Sequence, residues 1–254
     1  MMRRIFLFLF FTFHFLNQSL ADQSPNAFPF QVGERLEYDL KWGFFSVGSA
    51  VMEVNSLTEV AGQTCYLIKF SVRTNSFADK FYKVRTSIES SVAADFSKSV
   101  LYSKSQEEGS TKRKVLVKYD YTQSKAIYSQ DGQVHSSTAI PEKVFDPLSI
   151  AYFFRLQELK PNQEETLPTC DGKSFRTINV RMGEKKKITV PAGTFYAIET
   201  IPELKNIRGV FKKSPKGMLR VWYSTGSRRL PVKISSKVVV GSFVANLRKT
   251  SGLK

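Results

Sequence analysis

In the stretch Glu34-Arg35-Leu36-Glu37-Tyr38-Asp39-Leu40-Lys41-Trp42 every second residue from Leu36 is apolar and the residues between are charged. Successive side chains of a strand point to opposite faces, so this alternation predicts a strand with one buried face and one wet face. Similar runs recur at 66–74, 82–92, 114–121, 125–129, 175–181, 187–190, 194–200, 218–224, 232–240 and 242–247. Turn residues separate them at Ala61-Gly62, Asp131-Gly132, Asp171-Gly172, Gly183-Glu184, Ala192-Gly193 and Thr225-Gly226. Asp-Gly between apolar runs is a strong hairpin signal, because the turn it favours has the twist of the flanking strands.

Strands that follow one another without helices between them pair antiparallel, since parallel neighbours need long crossovers. A dozen strands in one sheet must curl. The fold class is therefore mainly β, a single large antiparallel curved sheet forming a barrel or half-barrel. One segment breaks the rhythm: Asp146-Pro147 opens a helix near 147–156, apolar nearly all round, with Arg155 near its end. Asp caps the first turn, Pro suits the first helical position, and a helix this apolar is buried. It is expected across the concave face of the sheet, with Arg155 reaching a carboxylate, a backbone carbonyl or solvent.

Residues 1–21 pair two basic residues, Arg3 and Arg4, with an apolar run from Ile5 to Leu16 and the small-residue ending Ser19-Leu20-Ala21. This is the pattern of a cleavable secretory signal and predicts a periplasmic location. Residues 22–30 read as a loose leader and 31–254 as one β domain, which carries no later run long enough for a spanning helix.

The 254 residues carry 38 Lys and Arg against 22 Asp and Glu. No acidic residue follows Glu203, whereas thirteen basic residues do, densest between Arg208 and Arg220. Such segregation predicts a basic margin that draws an anionic partner, or a solvated edge that blocks sheet-to-sheet association. Nucleic acid is not expected as the partner, because no recognition-helix, RNA-binding or zinc-finger pattern occurs.

Chemistry is sparse. Beyond the leader His135 is the one histidine, and neither Gly-x-Ser-x-Gly nor His-Glu-x-x-His is present. Glu107-Glu108 and Glu164-Glu165 are adjacent, and neighbours on a strand face opposite ways, which does not suit a glycosidase pair. No catalytic residue, metal or cofactor is assigned. Cys65 and Cys170 either pair, closing a loop worth about 4 kcal/mol in the chain-entropy model, or remain buried free thiols. Trp42, Phe44 and Phe45 either rim a ligand pocket or fill the core.

Val32-Gly33-Glu34-Arg35-Leu36-Glu37-Tyr38 with Trp42 and Gly48-Ser49-Ala50, Asp146-Pro147-Leu148-Ser149 with Arg155, Pro191-Ala192-Gly193-Thr194-Phe195 and Arg228-Arg229-Leu230-Pro231-Val232 together resemble the exported bacterial family DUF3108. The resemblance implies an extracytoplasmic, mostly β protein and supplies no activity. It departs from the usual pattern at Thr225-Gly226-Ser227, where an acidic residue commonly precedes the paired arginines. Asp146, Pro147, Gly193 and Pro231 are expected to be structural.

The combined expectation is a non-enzymatic envelope protein that binds an anionic lipid or glycolipid in an apolar β cavity. Its candidate ligand-binding residues are Trp42, Phe44, Phe45, Arg155, Arg208, Lys212, Lys213, Lys216, Arg220, Arg228 and Arg229. A protein-interaction or scaffolding module is the alternative, and a cell-wall polymer hydrolase using His135 is the third.

Overall fold

The computed structural model describes residues 28–203, 219–237 and 242–253. The expected signal segment 1–21 and the candidates Arg208, Lys212, Lys213 and Lys216 lie outside them. The alternating stretch forms β1 (Arg35–Trp42), which buries Leu36 and Tyr38 completely. A meander continues through β2 (Phe45–Val60), β3 (Gln63–Thr74), the short helix α1 (Ser76–Asp79), β4 (Val84–Ala93), β5 (Ser99–Glu108), β6 (Thr111–Asp120), β7 (Lys125–Gln130) and β8 (Gln133–Ala139). The helix α2 (Ser149–Leu156) separates it from a second meander of β9 (Glu164–Cys170), β10 (Phe175–Val190), β11 (Gly193–Pro202), β12 (Leu219–Ser224), β13 (Pro231–Lys237) and β14 (Ser242–Ser251).

Among the described residues all fourteen strands form one antiparallel sheet, ordered β8-β7-β6-β5-β4-β3-β2-β1-β14-β13-β12-β11-β10-β9. The first strand and the last pair at its centre, from Arg35 opposite Ser251 to Trp42 opposite Phe243. The sheet does not close by pairing β8 with β9. Instead the segment leaving β8 crosses to the far edge, where Phe145 makes an isolated parallel bridge with Thr169. Its amide donates to Pro168 O at 2.9 Å and its carbonyl accepts from Cys170 N at 3.0 Å. The Tyr119 hydroxyl on β6 donates to Cys170 O at 2.7 Å, and Thr138 on β8 donates to Gly172 O at 3.1 Å, so the two ends of the curl meet. Gly172 has φ +87°, and a Cβ there would stand 2.6 Å from a Val117 methyl, so only glycine lets this turn approach so closely.

The concave side is filled, which corrects the expected apolar hollow. Phe28, Phe30, Phe96 and Tyr152 pack ring against ring beneath α2, with centroids 5.2 Å (Phe30 to Phe96 and to Tyr152) to 6.3 Å (Phe96 to Tyr152) apart. Phe154, on the other side of the helix, joins Leu167, Val180, Met182, Ile198 and Tyr223. The space under the helix is thus taken by the chain's own aromatics. Residues 22–30 are not loose at their described end either, because Phe28 and Phe30 belong to this core.

Two further expectations change. Gly183-Glu184 is no turn between strands: β10 runs through it, and a register shift between Met182 and Lys185 absorbs the irregularity. Cys65 and Cys170 are free, buried thiols. Cys65 lies on the opposite face of β3 from the core residue Ile68, among Ala93 and Val100, whereas Cys170 faces the main core. The sheet itself separates the two sulfurs.

Candidate functional site

Three of the motifs behind the family resemblance, those holding Glu34, Asp146 with Arg155, and Arg228 to Pro231, meet at two buried polar centres. Asp146, completely buried, accepts hydrogen bonds from the hydroxyls of Ser90 and Ser99 and from the amides of Leu148 (2.8 Å) and Ser149 (3.0 Å). It therefore caps α2 and pins it to β4 and β5 at once. One helical turn past Tyr152, Arg155 is also fully buried. Its guanidinium forks onto both Glu34 oxygens, Nη2 to Oε2 at 2.8 Å, and donates to Pro29 O (3.0 Å) and Arg228 O (3.1 Å). Burial opposes the charge, and the Glu34 carboxylate more than offsets it, so the Arg155 pKa is raised.

Around this pair, Arg229 donates to Arg155 O at 3.0 Å and the Tyr38 hydroxyl to Pro231 O at 2.8 Å. All three guanidinium nitrogens of Arg155 donate to groups of the chain itself. The side chains of Arg155 and Arg229 and the carbonyl of Arg228 thus fasten the N-terminal segment, α2 and the β12–β13 turn together. Arg220 pairs with Glu199 at 2.8 Å, and Arg248 reaches Glu37 and, at 3.4 Å, Asp39. Because β14 lies beside β1 and β12 beside β11, cations segregated in sequence meet carboxylates in space.

Trp42, Phe44 and Phe45 neither rim an interior pocket nor fill the core. They stand at the β1–β2 tip, where Gly43 takes φ +57°. Phe44 is entirely exposed (101%) and Trp42 is 41% exposed. Trp42 stacks on Phe243 at 6.3 Å, and Phe45 stacks at 6.0 Å on Phe77 of α1, which meets Phe81 at 5.5 Å. Phe81 (78% exposed) and Tyr82 extend the cluster. Weighting about 200 Å² per aromatic side chain by these exposures leaves on the order of 800 Å² of aromatic surface in water. The five rings joined by these contacts and by the Trp42–Phe45 strand pair supply about 540 Å² of it, at the upper end of the roughly 300–600 Å² of the largest apolar patch on a typical soluble monomer.

The local chemistry of α1 holds these rings outward. Ala78 is its one buried residue. Asn75 caps the turn by accepting from Ala78 N at 2.9 Å and donates to Ser46 O at 2.8 Å, locking α1 to the β1–β2 tip. Asp79 pairs with Arg85 at 2.6 Å. Hydrogen bonds from the Arg85 guanidinium and the Thr74 hydroxyl hold its carboxyl at about 2. Over residues 41–45, 73–85 and 106–114, which the meander brings to this end, lysines and arginines outnumber carboxylates eight to three. Sequence reasoning missed α1. The available signal was Asn75 followed by Phe77 and Phe81 one turn apart around a single small residue.

A family model for a protein of unknown function, DUF3108, matches residues 37–248. No curated protein shows significant similarity to the chain. Among solved structures, a β-barrel-like protein of the domain of unknown function DUF1849 from Brucella abortus is 11% identical over 86% of this chain and 96% of its own, with a TM-score of 0.55. A protein described as exported, with a YmcC-like fold, from Bacteroides fragilis is 14% identical over 88% of this chain and 98% of its own, TM-score 0.41. A protein described as a lipoprotein, from Parabacteroides distasonis, is 12% identical over 88% of this chain and 98% of its own, TM-score 0.35. The first of these likenesses supports the barrel-like architecture.

Proposed function

The chain belongs to the DUF3108 family, and on that premise we propose that it is a non-enzymatic, periplasmic envelope protein that docks its aromatic end on an anionic lipid surface. The observation that carries this reading is the exposed cluster of Trp42, Phe44, Phe45, Phe77, Phe81, Tyr82 and Phe243 beside an excess of cations. Aromatic rings partition into the headgroup region of a bilayer, and nearby lysines and arginines add about 1 kcal/mol each against anionic lipid. The filled interior supports a rim that docks over a cavity that carries.

Co-sedimentation with phosphatidylcholine vesicles, with and without phosphatidylglycerol, tests it. Burying half of a Phe ring contributes roughly 2 kcal/mol. Replacing Phe44 and Phe81 by Ser is therefore expected to weaken association by about two orders of magnitude or more, and added salt is expected to weaken it further. Absence of binding by the unaltered protein, or equal binding to both vesicle types, refutes the reading. Retention instead of a single envelope protein that depends on Phe44 and Phe81 moves the site to a protein partner.

A further inference from the structure

Next to the aromatic end, the outer face of β3 to β6 carries an open groove of about 570 Å³. The register sets its walls. Ser71, Ser87, Ser105 and Lys114 lie opposite one another across the four strands and form one row. Arg73, Arg85, Glu107 and Lys112 form the next row on the same face, two residues nearer α1. The intervening Val72 and Thr86 point the other way, Thr86 being buried. Four strands about 4.8 Å apart make the groove on the order of 14 Å across, and two residues along a strand separate the rows by roughly 7 Å.

The charges are arranged at a cost. Arg73 sits directly opposite Arg85, a like-charge pair that destabilises a sheet. Arg85 is neutralised by Asp79, and Glu107 is shared between Lys83 at 3.0 Å and Lys112 at 3.9 Å. Among the described residues Arg73 and Lys114 have no carboxylate within ion-pairing distance. The groove thus presents uncommitted cations beside a row of exposed hydroxyls.

We propose that this groove binds a phosphate monoester carried on a polyol, with Arg73 and Lys114 on the phosphate and Ser71, Ser87 and Ser105 on the hydroxyls. A guanidinium matches phosphate oxygens two at a time, and serine hydroxyls both donate to and accept from a sugar. The inference rests on the docking reading for its lipid source: the row holding Arg73 and Arg85 adjoins α1, so a lipid whose chains meet Phe77 and Phe81 places its headgroup here.

Calorimetric titration of the full chain with glucose 1-phosphate, and with glucose, tests it. Glucose 1-phosphate is expected to bind and glucose to bind far more weakly. Arg73→Gln is expected to weaken the phosphosugar about tenfold, and Ser87→Leu, which fills the floor, to abolish it. Circular dichroism establishes that both variants fold. The proposal is overturned by a wild-type protein that ignores glucose 1-phosphate, by equal affinity for glucose, or by folded variants that bind as the wild type does. Displacement of the protein from phosphatidic acid vesicles by glucose 1-phosphate identifies a lipid headgroup as the natural source, and binding without displacement identifies a free phosphosugar. Sedimentation with anionic vesicles but no phosphosugar binding leaves docking standing and removes the groove; the converse result removes docking and keeps the groove.

Discussion

Replacing Arg155 by Met keeps most of the side-chain volume and removes the guanidinium, leaving the Glu34 carboxylate 1% exposed with its counter-charge gone. Breaking a buried ion pair from one side costs about 3–5 kcal/mol, because the remaining charge keeps its desolvation penalty. The carbonyls of Pro29 and Arg228 lose a donor as well. For a chain of this size each kcal/mol moves the melting midpoint by about 2–4 °C, so Arg155→Met is expected to lower it by on the order of 10 °C. Glu34→Leu in the same chain removes the stranded charge, and the double variant is expected to regain about 2 kcal/mol or more. Urea denaturation followed by circular dichroism gives both numbers as midpoint shifts at constant slope. A single variant within about 1 kcal/mol of wild type, or a double variant no more stable than the single, refutes the assignment of this pair as the fastening of the fold.

Two further outcomes follow from titratable groups. Burial pushes the Cys170 thiol up to about 11 and the Cys65 thiol in the same direction. Both are expected to resist iodoacetamide at mildly alkaline pH in the folded protein and to react after unfolding without reductant; an unfolded, unreduced chain with no reactive thiol shows a disulfide instead. Asp79, held at about 2 against an ordinary 3.8, has a depressed folded-state pKa. Its contribution to the order of α1 is therefore present above the ordinary value and is lost as pH falls through about 2. An NMR titration of its carboxyl is expected to show that midpoint and, in Arg85→Gln, a rise toward the ordinary value; an unchanged midpoint in the variant excludes the Arg85 interaction as its cause.

What the sequence made legible depended on periodicity. Leu36 and Tyr38 alternate with charges and reveal β1, and Asp146-Pro147 ahead of an apolar run reveals α2 within two residues. β5 was silent, because Ser-Val-Leu-Tyr-Ser-Lys-Ser-Gln-Glu-Glu offers few apolar positions and its burial comes from its neighbours. Lys185-Lys186-Lys187 after a glycine mimics a turn, and only pairing with β11 shows the strand continuing through it. The pairing of β1 with β14 is a contact across nearly the whole chain that no local pattern carries. Without it the C-terminal cations look unopposed, whereas Arg248 in fact meets Glu37. The rings at the β1–β2 tip misled for the opposite reason. Trp42, Phe44 and Phe45 have core composition, and their place at the β1–β2 tip exposes them, beside α1, a four-residue helix too short for a periodic signal.

Several of the positions that carry the family resemblance, Glu34, Asp146, Ser149, Arg155, Arg228, Arg229 and Pro231, build the two buried centres. Glu34 and Arg155 form a two-pronged pair, Arg228 and Pro231 offer carbonyls, and Asp146 accepts from four donors. A group whose hydrogen-bonding capacity is met inside the fold has little left for a ligand, and opening it would cost the stability just estimated. The motif residues therefore report how a curled sheet is held shut over a helix. Among the described residues, side chains with unspent capacity include the rings in water at the β1–β2 tip and on α1, and Arg73, which faces Arg85 with no carboxylate within ion-pairing distance. Function in this fold is to be sought at that rim, where the chain leaves apolar surface and positive charge uncompensated.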